Sequence, residues 1–102
     1  MSVQKRERDV ESHLVRALER IGLACVKFIP DHMTGMPDRL VLLPAGRVLW
    51  VELKTKEGRL APIQEYRHSQ LRQWGQHVVT VYGIEDADQL VDTLKQDPEA
   101  AG

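Results

Sequence analysis

The sequence predicts an α/β fold, a mixed four-stranded sheet flanked by helices in the order αβββαβα. Three observations lead there. Segments 9–20 and 86–95 carry apolar residues at helical spacing. Two apolar runs, 38–43 and 48–54, bracket Pro44-Ala45-Gly46 like the arms of a hairpin. A further helical segment, beginning at Pro62, separates that hairpin from another strand-like run at 77–82, which is the pattern of a crossover into a parallel strand.

In chain order, residues 1–8 are polar and expected to be flexible, ahead of a single domain over 9–95. Asp9 reads as the N-cap of a helix to Arg20, with Val10, Leu14, Ala17, Leu18 and Ile21 on its inner face and Gly22 as its stop. A short strand follows at 25–29. Segment 30–37 is a loop whose path into the next strand is restricted by Gly35 and Pro37. In the hairpin, Pro44 suits the first corner of a type I turn, and Gly46 the left-handed residue after it. A loop closed this way pairs Leu43 with Arg47 and therefore Asp38 with Glu52. A loop of two or four residues would pair Asp38 with Leu53 and send the carboxylates to opposite faces. Segment 55–61 is a polar connection. Pro62 fits the first turn of a helix that runs to about Trp74, with Ile63, Tyr66, Gln70, Leu71 and Trp74 as its expected inner stripe and Gly75 as its stop. After the strand at 77–82, a last helix faces Ala87, Leu90, Val91 and Leu94 inward. The tail 96–102 is expected to be flexible.

At 102 residues the chain holds one domain with one modest core. The single cysteine, Cys25, cannot form an intrachain disulfide; it is expected to be a buried thiol, in keeping with the cytoplasm of a bacterial or phage-infected cell. No apolar stretch reaches membrane-spanning length, and the charged N-terminus has no apolar segment behind it to make a signal peptide. A net charge of −1 does not advertise a nucleic-acid partner, but its distribution is uneven. Between Arg39 and Arg72 stand seven basic and three acidic residues, whereas from Gly83 onward there are six acidic and one basic. A locally positive region suits a polyanion, although a mixed solvated surface would look the same.

The chemistry sits in that positive region. Side chains alternate along a strand, so Glu52 and Lys54 share one face while Val51 and Leu53 share the other. With Asp38 paired to Glu52, two carboxylates and an ammonium converge on a half-buried sheet, where unpaired charge is costly. Hard oxygen ligands of this kind suit Mg²⁺ or Mn²⁺, and such an ion can activate a water and offset phosphate charge. Taken alone, the same residues could be surface acids with a salt-bridge partner.

The chain resembles the PD-(D/E)XK nuclease superfamily, and more closely the stand-alone VRR-NUC domains of phages and bacteria. The resemblance rests on Gly35-Met36-Pro37-Asp38, the hairpin, Val51-Glu52-Leu53-Lys54, and Arg59-Leu60-Ala61-Pro62-Ile63-Gln64, with Glu11 in the first helix. It implies a restriction-endonuclease-like core and a metal-dependent DNA endonuclease that cuts with a metal-activated water, leaving 5′-phosphate and 3′-hydroxyl ends. By the same resemblance, Asp38 and Glu52 hold the metal together with the backbone carbonyl of Leu53. Lys54 orients the water, Glu11 completes the site directly or through water, and Gln64 helps hold it; on the residues alone, Glu7 in its place or a merely solvated Glu11 is the alternative. Ala61 departs from the Ser or Thr that caps this helix in many similar sequences. The implied partners are branched DNA such as a Holliday junction and a second copy of the chain, with no organic cofactor and no membrane.

Arg39, Lys56, Arg59 and His32 flank the motif and are candidates for DNA contact. The four histidines show no metal-ligand spacing and read as surface or satisfied residues, though His68, one turn after Gln64, can approach the site. Trp50 is expected in the core or at an interface, and Tyr66 and Trp74 in the core. The alternative to an active enzyme is a non-catalytic or partner-dependent DNA-binding module of a repair or restriction assembly.

Overall fold

A computed structural model describes residues 6–97; of the segments expected to be flexible, 1–8 and 96–102, residues 1–5 and 98–102 lie outside the described residues. The elements are α1 (Glu7–Arg20), β1 (Ala24–Lys27), β2 (Arg39–Leu42), β3 (Val48–Lys54), α2 (Pro62–Gln73), β4 (His77–Tyr82) and α3 (Gly83–Gln96), with a short 3₁₀ turn at Pro44–Gly46. The strands lie in the order β1-β2-β3-β4. The first three form an antiparallel meander, and β4 runs parallel to β3 with α2 as the crossover.

The hairpin register is the expected one. Leu40 faces Trp50 and Arg39 faces Val51, so Asp38, one step before β2, stands opposite Glu52. The Leu43 amide donates to the Arg47 carbonyl at 2.9 Å, closing the loop where the glycine turn requires. The turn itself differs from type I, because Ala45 joins Gly46 in the left-handed region, with φ of 64° and 72°.

Both outer helices start earlier than their acidic residues suggest. Asp9 lies inside α1, where its carboxylate accepts from the Arg6 amide at 3.0 Å. It therefore satisfies a free helix-end donor from within rather than from the cap position, and Glu7 and Arg8 are helical rather than frayed. Asp86 does likewise in α3, accepting from the Tyr82 amide at 2.9 Å.

One face of the sheet closes against α1 and α3. Val10, Leu14 and Leu18 of α1 and Ala87, Val91 and Leu94 of α3 pack with Val41, Leu49, Val51, Leu53 and Val81. Each fully buried aliphatic side chain of this kind contributes roughly 1.5–3 kcal/mol. Cys25 is half-buried rather than buried, and desolvation pushes its thiol up to about 11, so it stays protonated.

The opposite face carries α2, whose rotation differs from expectation. Its buried residues are His68 and Leu71, while Ile63, Tyr66 and Trp74 point outward, the last two 58% and 59% exposed. The inward arc is Gln64, His68 and Leu71, at helical spacing i, i+4 and i+7. Glu52 lies beneath this arc, and a buried carboxylate needs hydrogen-bonding partners more than the helix needs to bury its aromatics. Trp50 is half-buried on this face, edge-on to Phe28 with ring centres 5.0 Å apart, and donates to Gln76 Oε1 at 3.0 Å.

Candidate metal centre

The loop before β2 is held against the start of α2, and that contact delivers Asp38. Gly35 has φ of 84° and lies so close to α2 that a β-carbon there would sit 2.5 Å from the Ile63 carbonyl oxygen. Only glycine allows both the backbone shape and the approach. Arg67 ties the same loop down through its Nε, which donates to the Thr34 carbonyl at 3.0 Å. Pro37 is fully buried. From this anchored position the Asp38 carboxylate accepts the Leu53 amide at 2.9 Å, and the Asp38 carbonyl accepts the Phe28 amide.

Three carboxylates meet at this point. Oxygens of Glu7, Asp38 and Glu52 lie within 4.8 Å of one another, with Glu7 exposed, Asp38 half-buried and Glu52 buried. Burial, then a hydrogen bond to Asp38 and its negative charge, push the Glu52 carboxyl up to about 8; Lys54 opposes the rise. This donor set fits a hard divalent cation. A buried carboxyl that resists ionising beside another is relieved when a cation supplies the missing positive charge.

Both Glu52 oxygens face α2. His68 Nε2 is 3.3 Å from Oε1, and Gln64 Nε2 donates to Oε2 at 3.4 Å. Gln64 Oε1 accepts the Ala61 amide at 2.8 Å. The glutamine thus supplies a helix-end hydrogen bond that Ala61's own side chain cannot make, and holds the site with its other end. Burial lowers the affinity of His68 for a proton.

The structure brings together Asp38, Glu52, Lys54, Gln64 and the backbone of Leu53, but not Glu11. The Glu11 carboxylate accepts Arg39 Nε at 2.8 Å and lies 3.6 Å from Lys27 Nζ. One helical turn earlier, Glu7 takes the place expected for it. The Arg39 guanidinium is shared between Glu11 and the Cys25 carbonyl, and its side chain is 17% exposed. Lys56 and Arg59 are exposed along a cleft of about 420 Å³ that Glu57, Glu65 and Tyr82 also line. His32 is 90% exposed, beside Asp31. A helix that starts at Asp9 leaves Glu7 outside it; Asp9 three residues beyond Arg6, at capping-box spacing, is the sequence signal for the earlier start.

No protein-family model matches the chain. It is 37% identical over 89 residues to "Putative nuclease p44" of Acyrthosiphon pisum secondary endosymbiont phage 1, a match covering 87% of this chain and 95% of that protein. A solved structure described as "VRR_NUC domain" superimposes with a TM-score of 0.74 at 28% identity, covering 84% of this chain and 94% of the other.

Proposed function

The chain belongs to the stand-alone VRR-NUC domains, and from that premise we propose that it is a nuclease, specifically a Mg²⁺- or Mn²⁺-dependent DNA endonuclease whose centre is Asp38, Glu52 and Glu7. The observation that carries this reading is the meeting of three carboxylates on the strand face that also presents Lys54. When bound, the cation would supply an activated water and offset charge on the scissile phosphate. The protein's own part is positional. Asp38 is fixed by the Leu53 amide, and Glu52 by Gln64 and His68. Lys54 shares a strand face with Glu52, and its ammonium would orient the attacking water and meet a phosphate oxygen. Lys56 and Arg59 lie beyond it, exposed, where a DNA backbone leaving the centre would meet positive charge.

The substrate we favour is branched DNA, cut by a homodimer to leave 5′-phosphate ends. A two-fold dimer presents two centres to a two-fold junction, and the outward Ile63, Tyr66 and Trp74 give α2 apolar surface to offer a partner. The setting we favour is the cytoplasm of a bacterial or phage-infected cell. The test is cleavage of labelled four-way junction, flap and duplex DNA with Mg²⁺, Mn²⁺ or EDTA. Metal-dependent cutting, fastest on the junction, is the expected result. DNA binding without cutting in any metal would replace the enzyme with a binding module.

A further inference from the structure

His68 is an expensive choice for its position. It is 1% exposed, and its Nδ1 is buried without a hydrogen-bond partner among the described residues. A leucine would fill similar space with no polar atom to satisfy, and burying an unsatisfied acceptor lowers stability. The other ring nitrogen makes the imidazole's polar contact, 3.3 Å from Glu52 Oε1, with the glutamate also 1% exposed. The hydrogen-bonding chemistry fixes the ring's tautomer. In the ionised form that binds a cation, Glu52 can only accept, so in that form the imidazole proton resides on Nε2. The same reasoning assigns the amide of Gln64: its oxygen accepts from the Ala61 amide, leaving its nitrogen for the second Glu52 oxygen. One arc of α2 therefore contacts both oxygens of the Glu52 carboxylate.

We propose that His68 is a positioning residue that donates from Nε2 to Glu52 and holds that carboxylate towards Asp38 and Glu7, in the orientation a divalent cation requires. The inference rests on the reading of these carboxylates as a cation site. A ligand oriented by such a partner loses little freedom when the cation arrives, and removing the partner weakens binding without removing a ligand. The histidine is thus kept for function at the expense of the fold. That separates its role from ordinary packing, because its removal should weaken the cation site while sparing the stability of the metal-free protein.

The experiment is calorimetric titration of the purified chain with Mn²⁺, beside thermal melts in EDTA, for wild type, His68→Leu, His68→Gln and His68→Asn. Glutamine can place an N–H where Nε2 stands, whereas asparagine is too short. The expected result is that His68→Leu melts at or above wild type yet binds Mn²⁺ about 10–100-fold more weakly, and that His68→Gln returns to within a few-fold of wild type. Should His68→Leu fail to fold, Gln against Asn decides, with stronger Mn²⁺ binding by Gln supporting the proposal and equal binding overturning it. Wild-type affinity in a folded His68→Leu overturns the role of His68 alone. Absence of Mn²⁺ binding by wild type itself overturns the cation site and this inference with it.

Discussion

On one face of the sheet, α1 and α3 close over Val41, Val51 and Leu53 with aliphatic side chains throughout. On the other, α2 lies over Glu52, buries His68 and Leu71, and leaves Ile63, Tyr66 and Trp74 to solvent. The same strand, β3, supplies both faces by simple alternation: Val51 and Leu53 to the first, Glu52 and Lys54 to the second. The contrast shows how a chain of 102 residues carries a costly acidic site. The α1/α3 face supplies the burial that holds the fold, so the α2 face can hold groups that would not stabilise it.

Substitutions on the two faces should therefore fail in different ways. Asp38→Asn is the largest expected effect on activity. It should lower metal-dependent cleavage by about 10²–10³-fold or more, the scale of losing one charge-stabilising group, with a near-native melting temperature because the amide oxygen can still accept from Leu53. Undiminished cutting by this variant would move the chemistry elsewhere. Leu14→Ala, on the closed face, should cost about 2–5 kcal/mol in denaturant unfolding, or roughly 4–8 °C of Tm for each kcal/mol, and leave Mn²⁺ affinity unchanged below the transition. Weakened Mn²⁺ binding in the fully folded variant would show that the faces are not separate.

The pH dependence is the smaller and sharper test. The Glu52 carboxyl is pushed up to about 8 from an ordinary 4.5. Between those values the folded, metal-free protein holds a proton that the unfolded chain has released. Stability in EDTA should then fall as pH rises from about 4.5 to about 8, while Mn²⁺ binding, which displaces that proton, should strengthen over the same window. Melts at several pH values check the first part, and Glu52→Gln should flatten the slope. A slope unchanged by Glu52→Gln would assign it to other groups.

The closed face and the hairpin were legible in the sequence because their causes are local. Strand alternation and the glycine turn determine that Asp38 meets Glu52, and the Val10, Leu14, Leu18 stripe determines which side of α1 is buried. The α2 face was less legible because its causes are long-range. An apolar stripe is normally a helix's inner side, yet here the buried carboxyl of Glu52, twelve residues earlier than Gln64, turns a polar arc inward. Glu7 ranked second for a related reason. An aspartate near a helix start reads as a cap, but Asp9 bonds back to Arg6 from inside the helix, so the helix gains the turn that carries Glu7 to the site. Glu11 has the right spacing from the inner stripe, but Arg39 of β2, on the face that α1 covers, claims it.

The most direct test of the central claim, that Glu7, Asp38 and Glu52 form the cation centre, is anomalous scattering from crystals grown with Mn²⁺. The account predicts a peak within about 2.0–2.3 Å of carboxylate oxygens from Asp38 and Glu52, the usual range for a hard divalent cation on oxygen, with Glu7 reaching it directly or through water and Glu11 still bound to Arg39. A peak held by Glu11 instead, or one away from Asp38 and Glu52, would contradict it.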